Sequence, residues 1–103
     1  MSSYKIINSH RNISDDNSVF IIDNVPGYAF FECEIEIKSQ NKLVDYFKET
    51  INIPVKIKRE HGLAVFYTSK QSYDKAVDYV YNNYESIINK FHLSVSILYL
   101  LSE

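Results

Sequence analysis

The sequence contains no tryptophan, one cysteine and one methionine, and only two glycines and two prolines among its 103 residues. A single cysteine cannot form a disulfide within the chain, so no disulfide framework supports the fold. No hydrophobic run approaches the roughly 18 to 20 apolar residues of a membrane span, and no apolar segment follows a positively charged start as in a signal peptide. We therefore expect a reducing, cytoplasmic setting without membrane contact.

The charges are nearly balanced, with 11 Lys and Arg against 13 Asp and Glu and a net charge of -2. This balance creates no global field that would steer the chain to nucleic acid or to an anionic membrane. A length of 103 residues predicts one domain, with an N-terminal strand and polar loop at 1–18 and a core at 19–103. The many Asn, Ile, Lys and Tyr residues are typical of AT-rich genomes such as those of low-GC bacteria and their phages.

Hydrophobic periodicity divides the chain into alternating strands and helices. Ser39 is the predicted cap of the first helix. Pro26 and Gly27 fit the two central positions of a turn before the third strand. An unbroken apolar stripe from Tyr73 to Phe91 predicts one long second helix. The predicted strands are 4–7, 19–23, 28–37, 55–58, 63–68 and 93–101, and the predicted helices are 39–50 and 73–91.

From Tyr28 onward the predicted order is strand, helix, strand, strand, helix, strand. This order predicts an α+β domain with a mostly antiparallel sheet and two helices on one face, the ferredoxin-like βαββαβ arrangement, with one or more extra N-terminal strands. A related ββα repeat is the alternative. It is suggested by the similarity of "GYAFF" at 27–31 to "GLAVF" at 62–66, and of "SQNKLVDYF" at 39–47 to "SYDKAVDYV" at 72–80.

Helices on one face require that apolar side chains of every strand point toward them. The register that does so turns these residues inward: Phe31, Cys33, Ile35, Ile37, Val55, Ile57, Leu63, Val65, Val95 and Ile97. The opposite face would carry a row of carboxylates and an exposed apolar strip. The strip consists of Phe30, Phe66, Leu98 and Leu100. We expect the N-terminal segment or a second copy to cover it, which would make the protein a homodimer.

The stretch "LVDYFKETINIPVKIKREHGLAVFYTSKQSYDKAV" resembles the middle of an RNA-recognition-motif domain, in which a helix, two strands and a second helix follow one another. The resemblance implies an RNA-binding function and covers about a third of the chain. The positions at which that family stacks bases fall on Leu63 and Val65, neither of which is aromatic. Since the carboxylate row would repel phosphate, RNA binding is the alternative rather than the main prediction.

Alternating glutamates in "FFECEIEIK" predict that Glu32, Glu34 and Glu36 share one exposed face of a strand. Tyrosine is frequent, with nine residues. Tyr46, Tyr79 and Tyr81 fall off the core stripes of their helices, next to acidic residues. Exposed tyrosine beside acid is typical of protein-binding surfaces, whereas packing against a helix flank is the structural explanation. These six residues therefore predict a binding surface for another protein, of the kind used by inhibitors, immunity-type proteins or phage accessory factors.

No catalytic, cofactor-binding or metal-binding motif is recognisable. His10 lies near Asp15 and Asp16, but a polar loop accounts for this cluster. No Ser or Cys has a base partner at a diagnostic spacing. The sequence thus favours a non-enzymatic protein, with no cofactor and no metal, over a small-molecule-binding or catalytic domain.

Overall fold

The computed structural model describes residues 3–7, 11–12, 21–22, 25–60, 62–93 and 95–99. The described part of the chain is an α+β structure. Its strands are β1 (Ser3–Ile7), β2 (Arg11–Asn12), β3 (Ile21–Ile22), β4 (Val25–Cys33), β5 (Lys56–Glu60), β6 (Leu63–Ser69) and β7 (Val95–Tyr99). Its helices are α1 (Ile37–Ile51), α2 (Lys70–Asn82) and α3 (Tyr84–Phe91).

The strands form one sheet with the order β1-β7-β4-β6-β5, and the short strands β2 and β3 pair with β4. Strand β4 runs antiparallel to β6 and to β7, and β5 runs antiparallel to β6. The N-terminal strand β1 pairs with β7 in parallel. The extra N-terminal strand is therefore at one edge of the sheet, while β5 forms the opposite edge.

All three helices lie on the same face of the sheet. Phe47 of α1 contacts Phe31 of β4 and Phe66 of β6, with ring centroids 6.4 and 6.0 Å away. The Tyr84 hydroxyl of α3 forms a 2.6 Å hydrogen bond with the Ser96 hydroxyl of β7. The stripe predicted for the first helix is confirmed, because its buried residues are Leu43, Phe47 and Ile51.

The predicted register is right for β5 and wrong for β6 and β7. In β6 the side chains facing the helices are Ala64 and Phe66, both in the core with the helical residues. In β7 they are Ser96 and Leu98 rather than Val95 and Ile97, since Leu98 pairs with Phe31. The prediction for β6 failed because this strand is apolar at almost every position, so alternation does not distinguish its two faces.

A β-bulge between Ala29 and Phe31 shifts the pairing of β4 with β6 by one residue. The bulge turns both Phe30 and Phe31 toward α1, and the Phe30 ring lies 5.3 Å from the Phe47 ring. The exposure predicted for Phe30, Phe66 and Leu98 is therefore wrong: all three are buried, with exposures of 0, 0 and 1%. These side chains fill the core and offer no surface for self-association.

Strand β4 ends at Cys33, four residues earlier than predicted, so the three glutamates do not form one row on a strand. Glu32 is within β4 opposite Val65, on the face away from the helices, and only 8% of it is exposed. Glu34 and Glu36 lie beyond the strand and are exposed. Ile37, predicted to point inward, begins α1 and is 63% exposed. The helix begins two residues before Ser39, with Glu36 at the N-cap.

The predicted second helix is two helices, separated at Asn83. The backbone of this residue leaves the helical region, with φ -123° and ψ 23°. Its side-chain Nδ2 donates a 2.9 Å hydrogen bond to the Tyr79 carbonyl, and its backbone N–H donates to the same oxygen at 3.0 Å. Asparagine side chains that bond to nearby backbone groups compete with regular helix geometry. The apolar stripe continues through the break because Tyr84, Ile87 and Ile88 are buried.

The N-terminal predictions are partly covered by the described residues. The strand predicted at 4–7 is confirmed as β1. The predicted hairpin is also present, but Ile22 pairs with Val25, and Pro26 and Gly27 therefore lie inside β4 rather than at a turn. Leu100 and the His10, Asp15 and Asp16 cluster lie outside the described residues. Within the described residues, no helix has the length and apolar character needed to cross a membrane.

Candidate functional site

A groove of about 550 Å³ opens where the end of β4, the start of α1, the β5–β6 hairpin and the end of α3 meet. We call it the Glu34–Arg59 groove. Its lining combines charged, polar and apolar side chains from four elements that are distant in sequence. The lining residues are Glu34, Ile35, Glu36, Ser39, Arg59, Gly62, Phe91 and His92.

The acidic side of the groove is formed by the segment between β4 and α1. Glu34 and Glu36 are exposed, while Ile35 between them is 7% exposed and belongs to the core. The segment is held by the first turn of α1, where the Gln40 N–H donates a 2.9 Å hydrogen bond to the Glu36 carbonyl. A carboxylate at this position also interacts favourably with the positive end of the helix dipole. The two carboxylates therefore have a fixed backbone and a solvent-facing position.

Arg59 of β5 ties the opposite side of the groove to this segment. Its Nη1 donates hydrogen bonds to the Ile35 carbonyl at 3.1 Å and to Gln40 Oε1 at 2.7 Å. Gly62 of the hairpin has φ +80°, a conformation that favours glycine. The guanidinium thus has a structural task in joining β5 to α1. It also leaves a positive charge beside two negative ones.

The end of α3 closes the groove with an aromatic and an imidazole side chain. His92 takes the left-handed conformation, with φ 56°, and its backbone N–H donates to the Ile88 carbonyl. The prediction placed His92 at the end of a helix, and it does form the C-cap. Phe91 lines the groove and packs its ring 5.3 Å from the Tyr46 ring. An aromatic cluster therefore adjoins the groove.

Tyr46 and Tyr79 are brought together in this cluster. Their hydroxyl oxygens are 2.6 Å apart and hydrogen-bonded, and their ring centroids are 6.2 Å apart. Lys90 Nζ lies 5.9 Å above the centre of the Tyr46 ring, within cation–π distance. Burial and then the hydrogen bond to Tyr79 raise the pKa of Tyr46 to about 12. Both tyrosines are half-buried, so each packs against a helix and keeps part of its surface in solvent.

The structure separates the six predicted partner-binding residues into three locations. Glu34 and Glu36 line the groove, and Tyr46 and Tyr79 adjoin it through Phe91. Glu32 is buried on the far face of the sheet. Tyr81 is 56% exposed and lines a second hollow of about 490 Å³ at the break between α2 and α3.

Sequence reasoning missed Arg59, Phe91 and His92 as members of one site. Arg59 was assigned to a turn, and the other two mark the end of a helix. The local signals are the glycine of the hairpin and the helix end, but the sequence does not indicate that the two approach the same place. Only the packing of α3 against the sheet brings them together.

The chemistry that this groove can perform is recognition of charge and shape. The thiol closest along the chain, Cys33, is 1% exposed, and burial raises its pKa to about 12, which removes it as a nucleophile. The part of the chain that the structure describes holds no group of three or more His, Cys, Asp or Glu side chains that could bind a metal ion.

Comparison with known proteins adds no relative to these observations. No protein-family model matches the chain, no curated protein matches it, and no solved structure matches it. The functional argument therefore depends on the geometry of the chain alone.

Proposed function

We propose that the protein is a small, non-enzymatic protein-binding module that receives a basic segment of its partner in the Glu34–Arg59 groove. The observation that carries this proposal is a groove of about 550 Å³ with two exposed carboxylates on one side. Ile35 and Phe91 give it apolar surface beside the charge. A Lys or Arg side chain, with an apolar stem and a cationic head, matches this combination.

The adjoining tyrosines extend this surface. The half-buried Tyr46 and Tyr79 are rigid because their hydroxyls bond to each other, so contact with them would cost little side-chain entropy. Arg59 limits the affinity for a cation because it places one positive charge in the groove. We expect a partner whose basic group approaches from the side of Glu34 and Glu36. Inhibitors and immunity-type or phage accessory factors remain the classes of cytoplasmic protein that this size and surface favour.

The fold proposed for this module is ferredoxin-like. Support comes from the order β7-β4-β6-β5 within the sheet and from the chain order β4, α1, β5, β6, α2 with α3, and β7. The parallel strand β1 and the broken second helix are additions to that plan. The ββα repeat has less support, because β5 and β6 form a hairpin in which Glu60 pairs with Leu63.

The test of this function is affinity capture from the native host with matched charge variants. The double variant Glu34→Lys/Glu36→Lys reverses the groove, and the control Asp45→Lys/Glu49→Lys makes the same charge change on the exposed side of α1. We expect at least one protein to be captured by wild type and by the control at equal yield and to be lost with the groove variant. Equal capture by all three proteins, or no reproducible capture by wild type, would contradict the proposal.

Small-molecule binding is a second candidate, favoured by the concave shape of the groove and the approach of Glu34, Glu36 and Arg59 to it. A small ligand with one cationic and one anionic group would match these charges. A thermal-shift screen with free amino acids and short peptides separates the two candidates. A stabilisation by a free amino acid that Glu34→Lys/Glu36→Lys abolishes would favour the small ligand over the protein partner.

RNA binding has weaker support. The two positions at which the RNA-recognition-motif family stacks bases are Leu63, which is half-buried, and Val65, which is 0% exposed. Neither offers an accessible aromatic plane. Binding of a single-stranded RNA that weakens steeply between 50 and 200 mM salt would restore this alternative, since phosphate contacts release counterions.

A further inference from the structure

Strand β5 forms an edge of the sheet, and its composition sets it apart from the other strands. Among the described strands it pairs with β6 alone. Its sequence is "KIKRE", with three cations and one carboxylate in five residues. An edge strand presents a row of backbone N–H and C=O groups to which another strand can hydrogen-bond. The edge of β5 is therefore a polypeptide-binding surface with a net positive charge.

The side chains of β5 alternate between the two faces of the sheet. Lys56 and Lys58 pair with Tyr67 and Val65, on the face away from the helices. Ile57 pairs with Phe66 on the helical face and is half-buried. A strand added beside β5 would place alternate side chains next to the two lysines and the intervening one next to Ile57. Acid, apolar, acid is the sequence that matches this pattern.

We propose that β5 is a docking edge for an extended acidic segment of a partner protein, which adds to the sheet as a further strand. The backbone hydrogen bonds of the edge provide affinity, and Lys56 and Lys58 select acidic side chains. This surface is distinct from the Glu34–Arg59 groove, which selects the opposite charge. The proposal goes beyond the function proposed above and does not depend on it.

A second copy of the chain fits this edge poorly. Two β5 strands side by side would bring together two edges with a net charge of +2 each, counted as three cations less one carboxylate. In the antiparallel arrangement centred on Lys58, this residue faces its own copy, and like charges directly opposite each other are destabilising. Lysine on an edge thus prevents self-pairing while leaving the edge open to a strand of opposite charge.

The experiment uses the full-length, ¹⁵N-labelled protein and a capped synthetic peptide, Glu-Val-Glu-Val-Glu. A capped Lys-Val-Lys-Val-Lys peptide is the charge control. We expect the acidic peptide to shift the amide resonances of residues 56–60 in a saturable way, and the basic peptide to shift none of them. The variant Lys56→Glu/Lys58→Glu should weaken the acidic peptide at least about tenfold, because two attractive cross-strand pairs become repulsive. The control Lys48→Glu/Lys75→Glu, on exposed helical positions, should bind as wild type does.

Three results would overturn this proposal. The first is the absence of shifts at residues 56–60 at millimolar acidic peptide. The second is equal binding by the two lysine variants. The third is displacement of the peptide by a single-stranded oligonucleotide at lower concentration than the peptide itself requires, which would make the lysines a phosphate-binding surface. If Lys56→Glu/Lys58→Glu does not fold, Lys56→Gln/Lys58→Gln removes the attraction without adding charge, and binding by that variant must still weaken.

Discussion

The hydroxyl of Tyr46 on α1 and the hydroxyl of Tyr79 on α2 share one hydrogen bond of 2.6 Å. The bond links two helices whose other contacts in this region are between rings. It also favours the protonated form of Tyr46, as does burial, and together these raise the pKa of Tyr46 to about 12. The pair therefore connects the packing of the helices to a titration that can be measured.

Replacement of Tyr79 by Phe should lower the pKa of Tyr46 toward its ordinary value of 10.0 without restoring it fully, because burial remains the largest cause. The contribution of the raised pKa to folding is complete below pH 10 and is lost as the pH rises through about 12. Spectrophotometric titration of the phenolates at 295 nm measures the shift. The free energy of unfolding should fall by about 0.5–1.5 kcal/mol, the usual net value of one hydrogen bond. An unchanged titration curve in Tyr79→Phe would contradict this prediction.

Cys33 should be unreactive toward thiol reagents in the folded protein. Its thiol is buried, and the pKa is raised first by desolvation, then lowered by Arg59 and raised by Glu32. At pH 8 we expect modification by Ellman's reagent only at the rate at which the fold opens, and complete reaction in denaturant. The preference for the neutral thiol stabilises the fold fully below pH 9.0, and this stabilisation declines as the pH rises toward 12. Equal modification rates in native and denatured protein would show that the thiol is accessible.

Phe66→Ala and Ile37→Ser together test the observed register. Phe66 is fully buried and contacts both Phe31 and Phe47, so its truncation should cost about 3–5 kcal/mol of unfolding free energy. Ile37 is 63% exposed, and its replacement by Ser should change stability by no more than about 0.5 kcal/mol. Urea denaturation measures both values. The sequence-based register predicts the reverse order of the two effects.

Gly62→Ala isolates the cost of a backbone conformation. A Cβ atom at this position would meet nothing within 4 Å, so the change creates no collision. The φ of +80° is nevertheless unfavourable for alanine, and we expect a loss of about 1–2 kcal/mol. Gly62→Asn should cost less, since asparagine tolerates positive φ better. Equal stability of wild type and Gly62→Ala would indicate that the hairpin adopts another turn in solution.

The parts of the fold that were predictable from sequence are those in which polar and apolar positions alternate clearly. In β5 the lysines alternate with apolar residues, and in α1 the stripe through Leu43, Phe47 and Ile51 has helical spacing. Both predictions are confirmed. In β6 the stretch "LAVFY" is apolar throughout, and the choice between its two faces depends on which strands it pairs with. That choice is made by tertiary contacts.

Two local features of the backbone were also invisible in the sequence. The bulge at Phe30 inserts one residue without a glycine or another recognisable signal. The break at Asn83 interrupts an apolar stripe that itself continues. For the candidate site, the exposure of Glu34 and Glu36 was predicted from alternation, whereas the burial of Glu32 was not. Arg59 and His92 reach the groove only through the packing of the hairpin and α3.

The bulge in β4 also determines where this chain can change in length. Gly27 to Ala29 follow one pairing register with β6, and Phe31 to Cys33 follow a register displaced by one. Removal of Phe30 alone would merge the two registers into a regular ladder, and every remaining side chain would keep its face at the expense of one core ring. A deletion between Phe31 and Cys33 would instead leave core and solvent-facing positions exchanged. Length variation in natural or designed versions of this strand should therefore be confined to that single position.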